Sequence, residues 1–334
     1  MSGDTFGNLF RITIFGESHG DAVGVIIEGC PGGIGISSEG IQHELDRRKP
    51  GTSLLVSLRK EADILEIVSG LEGGCTTGET IRLQVRNRDA QPSDYAEIMH
   101  KPRPGHADMV YYQKYGKISP GGGRSSARET VGRVLAGAIA KQVLAPEGIR
   151  ITGKILEVHG NATGHEGIIH ETKAKNDSVG GIVEIIAEGV PPGLGEPIFD
   201  RLDADLAKAL MSIGSVKGIE IGAGFSAARK YGSENNDPII LKSGKLQTVT
   251  NNAGGILGGI SNGMPIICRI AVKPTSSIGI EQDTVDLETM APTTISVKGR
   301  HDPCICPRMV PVAEAMVAIT ILDHLLISRR GQEE

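Results

Sequence analysis

The stretch VIIEGCPGG, at residues 25–33, is echoed 160 residues later by IIAEGVPPG, at residues 185–193. Each stretch has the pattern of a short apolar strand that ends in a Glu-Gly step and a Pro-Gly loop. An amphipathic helix pattern follows, with Ile41 and Leu45 after the first loop and an equivalent pair after the second. We interpret the echo as one β–α unit used twice, in a single domain over residues 1–334. The alternative is chance similarity in a chain rich in Gly and Pro.

Similar patterns extend along the rest of the chain. Alternation of apolar and polar residues predicts strands near residues 10–14, 81–85 and 266–272. Apolar residues at helical spacing predict helices over residues 38–48, 127–144, 200–213 and 308–328. No charge run or polar linker divides the sequence, which favours one domain.

Glycine makes up 46 of the 334 residues, and tryptophan is absent. This glycine content is about twice the usual share. The glycines follow no three-residue period, which excludes collagen, and aliphatic runs continue throughout, which excludes a disordered low-complexity chain. We therefore expect many places where the backbone turns tightly or lies close to a ligand.

Charge and cysteine content restrict the possible partners. The net charge of −5 argues against general nucleic-acid binding, and no apolar run in the sequence has the length of a membrane span. The first residues lack a signal-peptide pattern, and the five cysteines are irregularly spaced, with Cys304 and Cys306 as one close pair. We expect a cytoplasmic protein with reduced thiols, no metal site, and no nucleic-acid or membrane partner.

Two histidines lie in loops suited to catalysis. His19 stands between two glycines just after a predicted strand, and His106 follows the sequence KPRPG, whose prolines stiffen the loop. Because imidazole titrates near neutral pH, each side chain is a candidate general acid. Taken alone, each is also explained as a hydrogen-bonded histidine in a turn.

The stretch GGGRSS at residues 121–126 precedes a predicted helix. Ser126 and Glu129 have the spacing of a capping box, and glycine amides at a helix start, with Arg124 beside them, form a candidate anion site. The stretch lacks the Gly-Lys-Ser/Thr ending of a P-loop. A capped helix without a ligand is the alternative.

Three other stretches carry groups suited to anionic or flat ligands. Residues 251–263 are rich in glycine, so a flat ring could lie against their backbone, and Lys273 with the hydroxyls after it suits a phosphate. Arg48 lies at the end of a predicted helix, and residues 300–302 place Arg, His and Asp in succession. The alternative for residues 251–263 is close packing of backbone against backbone. For Arg48 it is stabilisation of the helix dipole, and for residues 300–302 it is an ion-paired turn.

Together these stretches resemble the chorismate synthase family. The matching segments keep the family's order and cover almost the whole chain: residues 7–11, 16–20, 47–53, 103–108, 122–130, 252–259, 273–277 and 300–304. The resemblance implies an α+β fold, a β–α–β sandwich of two pseudo-symmetric halves with helices between the sheets. It also implies a homotetramer. The activity implied is a lyase reaction, the anti-1,4-elimination of phosphate from 5-enolpyruvylshikimate 3-phosphate to give chorismate, the last step of the shikimate pathway. Reduced FMN would be the cofactor and would not be consumed.

The resemblance also assigns residue roles. His19 would protonate the departing phosphate, His106 would protonate the reduced flavin, and Asp302 would assist removal of the substrate proton through flavin N5. The flavin contacts would be Arg124, Ser125, Ser126, Gly214, Ser215, Gly258, Lys273, Pro274, Thr275, Ser276, Ser277 and Arg300. Arg48 and Arg128 would bind substrate or NADPH. Because aromatic residues are scarce, backbone and polar groups would hold the flavin ring.

The chain departs from the family pattern at Leu54, where family members often carry an arginine. Any NADPH contact made by that arginine would be missing, so we expect NADPH only as an indirect reductant. The sequence also lacks the large insertions of the fungal bifunctional enzymes, which predicts a monofunctional enzyme supplied by an external flavin reductase. The alternatives are a flavin-dependent oxidoreductase with net hydride transfer and a non-enzymatic phosphate-binding module.

Overall fold

Two antiparallel sheets enclose a layer of helices in the computed structural model, which describes residues 2–18, 20–49, 63–87, 99–297 and 302–331. The α-helices are α1 Ser38–Arg48, α2 Asp108–Tyr115, α3 Thr130–Leu144, α4 His165–Ala174, α5 Leu202–Met211, α6 Gly232–Asn235 and α7 Cys306–Arg330. The strands are β1 Thr5–Phe6, β2 Arg11–Gly16, β3 Ala22–Glu28, β4 Glu66–Ser69, β5 Leu71–Glu72, β6 Cys75–Thr76, β7 Ile81–Arg86, β8 Arg150–Val158, β9 Gly181–Glu188, β10 Val216–Ile221, β11 Ile239–Lys242, β12 Lys245–Thr248, β13 Ile256–Leu257, β14 Ile260–Ser261, β15 Ile266–Val272, β16 Gln282–Asp286 and β17 Ala291–Ile295.

The two large sheets have the two echoed strands as interior members. The first sheet has the order β1-β2-β3-β7-β4, and the second has the order β10-β15-β9-β8. Strand β3 carries the first half of the echo and β9 the second, and each pairs with antiparallel neighbours on both sides. Small hairpins, β5-β6, β11-β12, β13-β14 and β16-β17, project from this framework.

Helices α1, α3, α5 and α7 lie between the sheets and share one hydrophobic core with both of them. Helix α3 packs on β2, β3 and β7, helix α7 packs on β8 and β9, and the two helices pack on each other. Their backbones approach closely at Gly137, where an added Cβ would lie 2.2 Å from the Cβ of Ala315. The predicted α+β sandwich with helices between the sheets is confirmed.

Helix α1 has the predicted bounds. The Ser37 hydroxyl accepts a hydrogen bond from the Gly40 amide at 3.0 Å, which satisfies one of the free donors at the helix start. Ile41 and Leu45 lie one turn apart and are both fully buried. The helix ends at Arg48, so the sequence pattern defines both its ends and its buried face.

The start of α3 differs from the prediction. Residues Ala127–Glu129 form a 3₁₀ turn, and the α-helix begins after it. The Ser126 hydroxyl accepts from the Arg128 amide at 3.3 Å, but the Glu129 carboxylate pairs with Arg133 Nε at 2.9 Å. The predicted capping box is therefore wrong, because the ion pair to Arg133 takes the carboxylate that would have bonded back to residue 126.

The loop after β3 is closed by the hydroxyl of Thr76. Thr76 Oγ1 donates to the Pro31 carbonyl at 2.6 Å and accepts from the Ile34 amide at 2.9 Å. The Gly33 amide donates to the Thr76 carbonyl at 2.7 Å. One residue therefore satisfies three backbone groups of the Pro-Gly loop.

The loop after β9 has the same set of hydrogen bonds, made by Ser261. Ser261 Oγ donates to the Pro191 carbonyl at 2.6 Å and accepts from the Leu194 amide at 2.9 Å. The Gly193 amide donates to the Ser261 carbonyl at 2.9 Å. The two stretches that are similar in sequence thus also have the same loop hydrogen bonds, which supports our interpretation of one unit used twice.

Helix α7 is long and apolar enough to cross a membrane by length and composition, contrary to the expectation from sequence that no apolar run has that length. However, 89% of its most apolar window is buried inside the protein. It contacts α1, α3, α5, β8 and β9. This environment is that of the central helix of a soluble protein.

Candidate active site

A cavity of about 1540 Å³ opens where loops from distant parts of the chain meet. Thirteen of the residues singled out by the resemblance line it: Arg48, His106, Arg124, Ser125, Ser126, Arg128, Gly214, Ser215, Lys273, Thr275, Ser276, Ser277 and Asp302. Within the described ranges, Gly258 and Pro274 do not line it. His19, Arg300 and Leu54 lie outside the described residues, although Glu17 and Ser18, just before His19, line the cavity.

The His106 loop is held by a buried ion pair. His106 Nδ1 lies 2.6 Å from Asp108 Oδ1, and Arg103 contacts Asp108 through Nε at 2.7 Å and Nη2 at 2.9 Å. The side chains of Arg103 and Asp108 are only 6% and 2% exposed. Burial alone would raise the pKa of Asp108, but hydrogen bonds from His106 and Arg103 outweigh it and lower that pKa below its ordinary value. Asp108 is therefore a carboxylate at neutral pH.

Arg48 and Arg128 meet at a single buried carboxylate. Arg48 Nη2 lies 2.6 Å from Asp63 Oδ2, and Arg128 Nη1 lies 2.5 Å from Asp63 Oδ1. Burial raises the pKa of Asp63, yet the two guanidinium groups outweigh it and hold that pKa below its usual range. Burial lowers the pKa of Arg48 against the opposing effect of Asp63, and the positive charges of Arg308 and Arg128 add to the lowering. Two cations are thus fixed side by side on the cavity wall.

Arg124 is positioned by the N-terminal segment and by β2. Its Nη2 pairs with Asp4 Oδ1 at 2.5 Å, and its Nη1 donates to the Gly16 carbonyl at 3.0 Å. The glycines before it lie in the 3₁₀ helix Pro120–Ser125, where the Gly122 amide donates to Ser119. This glycine amide is therefore used within the loop rather than left free for an anion, contrary to the expectation from sequence.

The segment from Lys273 to Ser277 packs against the His106 loop. Lys273 Nζ donates to Ser276 Oγ at 2.8 Å, and Ser276 Oγ donates to the Gly105 carbonyl at 2.7 Å. Arg103 Nη1 donates to Ser277 Oγ at 3.1 Å. Burial, with a smaller effect of the positive Lys217, lowers the pKa of Lys273. The segment places an amine and three hydroxyls beside the histidine.

Asp302 is held by the first turns of α7. Its Oδ2 lies 2.5 Å from Arg308 Nη1, and the Arg308 Nε donates to the Arg48 carbonyl at 3.0 Å. The Asp302 carbonyl accepts from Thr275 Oγ1 at 3.0 Å. Arg308 therefore links the carboxylate predicted to be catalytic to the arginine predicted to bind substrate.

Gly214 and Ser215 form the tight connection between α5 and β10. Ser215 has a left-handed backbone with φ of 74°, and its carbonyl accepts from the Lys273 amide at 2.9 Å. No heavy atom lies within 4 Å of a Cβ built on Gly214, among the residues that the structure describes. The backbone here is open to the cavity.

Four residues of this site were missed by sequence reasoning: Asp4, Asp63, Asp108 and Arg308. Asp108 lies inside the matching segment 103–108. A carboxylate two positions after a loop histidine is a signal that could have identified it. Asp63 and Arg308 form their contacts only through the tertiary fold, so local sequence gives no signal for them. The structure places no group of three or more metal-binding side chains together within the described ranges.

The chain is similar to known proteins along almost its whole length. A family model described as chorismate synthase matches residues 10–326. Chorismate synthase of Methanosarcina barkeri (strain Fusaro / DSM 804) is 55% identical, over 98% of this chain and 97% of that protein. Chorismate synthase of Rhodospirillum rubrum is 50% identical, over 99% of this chain and 98% of that protein. A crystal structure of chorismate synthase has a TM-score of 0.77 at 32% identity, covering 96% of this chain and 93% of that one. The chain therefore belongs to the chorismate synthase family.

Proposed function

We propose that this protein is a lyase that forms chorismate from 5-enolpyruvylshikimate 3-phosphate by anti-1,4-elimination of phosphate, with reduced FMN bound in the cavity. The observation that carries the proposal is the convergence in one cavity of His106, Asp302 and the paired arginines Arg48 and Arg128. These groups come from four separate segments of the sequence, and the fold brings them together around a space large enough for two ligands.

The charge of the cavity suits the substrate, which carries a phosphate and two carboxylates. The whole chain has a net charge of −5, yet among the charged residues that line the cavity, eleven cations outnumber four carboxylates. The cations are Arg48, Arg103, Lys114, Lys117, Arg124, Arg128, Arg133, Lys208, Lys217, Lys273 and Arg308. Arginine pairs well with phosphate and carboxylate because its donors form a planar fork.

The loops around His106 fit a flat cofactor with a phosphate tail. Gly122 packs beneath the His106 ring, where an added Cβ would lie 3.4 Å from Ser125 Oγ and 3.5 Å from His106 Cε1. Lys273, with the hydroxyls of Thr275 to Ser277, would bind the phosphate. When bound, reduced FMN supplies electron density transiently and recovers it, so the reaction has no net redox change.

The chain's own residues would hold and move the protons. His106 would exchange a proton at Nε2, since its Nδ1 is bonded to Asp108. Asp302, oriented by Arg308, would assist removal of the substrate proton. His19 is proposed as the acid for the departing phosphate from the family resemblance.

Anaerobic turnover tests the proposal. A single charge of dithionite-reduced FMN should support many rounds of chorismate and phosphate release, and oxidised FMN should support none. The rival activity, a flavin oxidoreductase with net hydride transfer, would consume reductant mole for mole with product. That stoichiometry would rule out the lyase.

Three further features complete the proposal. We infer that the enzyme is monofunctional, receives reduced flavin from an external reductase with NADPH as the indirect donor, and works as a homotetramer in the cytoplasm. NADPH added with oxidised FMN should give no chorismate until a separate flavin reductase is present. Light scattering after size-exclusion chromatography should give a mass four times that of the 35.2 kDa chain.

A further inference from the structure

Arg103 and Asp108 form a buried ion pair, and both side chains contact His106. Arg103 contacts the carboxylate with Nε and Nη2, and its own amide donates to Asp108 Oδ2 at 3.1 Å. The carboxylate is thus fixed from three directions. Arg103 lines the cavity beside His106, whereas Asp108 does not.

The contacts identify which ring nitrogen carries the proton. Arg103 Nη2 lies 3.1 Å from His106 Nδ1, and Asp108 Oδ1 lies 2.6 Å from it. A guanidinium can only donate and a carboxylate can only accept. Because Asp108 is charged, Nδ1 must bear a hydrogen that is donated to Oδ1, and the Arg103 donor is then directed at the same carboxylate oxygen.

Nε2 is consequently the ring nitrogen that is available for proton transfer. In the part of the chain that the structure describes, no group forms a hydrogen bond to His106 Nε2, whereas the neighbouring Cε1 lies against Gly122. The second anchor of the loop is the segment predicted to bind flavin, through Arg103 to Ser277 and through Ser276 to Gly105. The ring orientation and the flavin-binding segment are thereby coupled through Arg103.

We infer that Asp108, clamped by Arg103, is a positioning residue that fixes His106 as the Nδ1–H tautomer and directs Nε2 into the cavity as the proton-exchanging atom. The effect of this positioning on catalysis rests on the proposed function. The tautomer itself is a property of the protein without any ligand. An orienting carboxylate of this kind commonly changes activity by about 10–100-fold when it is removed.

The spectroscopic test uses the full-length protein with ¹⁵N-labelled histidine, and the His106 signals are assigned from their loss in His106→Gln. The wild-type neutral ring should show a protonated Nδ1 and an unprotonated Nε2. In Asp108→Asn the ring should become a mixture of both tautomers. A wild-type ring with the proton on Nε2 would overturn the inference, even if the variant failed to fold.

The kinetic test compares Asp108→Asn with Asp205→Asn. Asp205 Oδ2 lies 3.0 Å from His324 Nε2, so it is also a carboxylate paired with a buried histidine, but it does not line the cavity. Asp108→Asn should lower kcat about 10–100-fold with KM nearly unchanged. Asp205→Asn should keep the wild-type kcat. Arg103→Lys, which keeps the charge and loses the fork, should give an intermediate kcat.

The outcomes separate the two proposals. If the wild type forms no chorismate, the proposed function fails, while the tautomer measurement still decides the role of Asp108. If the wild type is active and Asp108→Asn keeps both the tautomer and kcat, the inference fails alone. A parallel fall in kcat and in melting temperature, with the tautomer retained, would show a structural role only and would also overturn it.

Discussion

At the scale of single residues, the two histidines predicted to be acids should be separable from the residues that only bind. His19→Ala and His106→Ala should each lower kcat by roughly 10²–10⁴-fold, the usual contribution of a general acid. Substrate affinity should change little, because the cationic side chains of the cavity remain. Anaerobic single-turnover measurements with reduced FMN check this. A wild-type kcat in either variant would remove that residue from the mechanism.

Asp63 should stabilise the fold as well as position the two cavity arginines that it binds. Its side chain is fully buried and lies between two guanidinium groups, one of which, Arg48, is also buried. Removing one partner of a buried pair leaves an uncompensated charge, so Asp63→Ala should lower the free energy of unfolding by about 3–5 kcal/mol. Urea denaturation measures it. Glu188→Ala, which breaks an exposed pair with Arg150, should cost about 0–1 kcal/mol. Equal losses in both variants would contradict this reasoning.

At the site, sequence analysis singled out residues inside contiguous motifs and missed the partners that the fold brings to them. Arg48, His106 and Asp302 each stand in a recognisable local pattern, and each lines the cavity. Asp63 lies 15 residues after Arg48, and Arg308 is the third residue of α7, six positions after Asp302. Their charges are compensated only when the chain has folded, so no local pattern marks them.

At the scale of elements, helices with a wide buried face were predicted and helices with a narrow one were missed. Helix α1 matches its prediction, since Ser37 caps it and two buried residues lie one turn apart. Only Asp108 is buried in α2, and only Ile169 and Thr172 are buried in α4. Without an apolar stripe, neither helix has a periodic signal in its sequence.

The contact between α3 and α7 gives a prediction about packing. Gly137→Ala should destabilise the protein by roughly 1–3 kcal/mol, because the added methyl group would overlap Ala315 and force the helices apart. The matched control is Gly167→Ala in α4. Among the described residues, no heavy atom lies within 4 Å of a Cβ added there. That change should stabilise by about 0.5–1 kcal/mol.

Thermal denaturation of both variants checks the packing prediction. The double variant Gly137→Ala with Ala315→Gly should recover part of the loss, since it restores the space between the backbones. A melting temperature for Gly137→Ala at or above that of the wild type would show that the helices can separate without cost.

At the scale of the whole molecule, buried carboxylates should make stability fall at low pH. Burial raises the pKa values of Asp63, Asp108 and Glu314, but their cationic partners outweigh burial and lower all three. A carboxyl group with a lower pKa in the folded state binds more protons when unfolded, so its stabilising effect is present above its unfolded pKa, near 4. It is lost as the pH falls through the folded pKa.

The free energy of unfolding should therefore decrease between pH 5 and pH 2. Urea denaturation at a series of pH values measures the slope. Glu314→Gln, which removes the carboxylate that binds Arg47 and Lys141, should be less stable at pH 7 and should show a shallower slope. A wild-type stability that stayed constant or rose on acidification would contradict the assignment of these ion pairs.

The position of α7 in the chain has a consequence for protein synthesis. This helix fills the middle of the core, and its Asp323 carboxylate accepts hydrogen bonds from the amides of Asn8, Leu9 and Phe10. It also follows every other helix and strand along the chain. The inner faces of both sheets must therefore remain without their central partner until α7 has been translated. We expect the nascent chain to bind chaperones until α7 emerges from the ribosome.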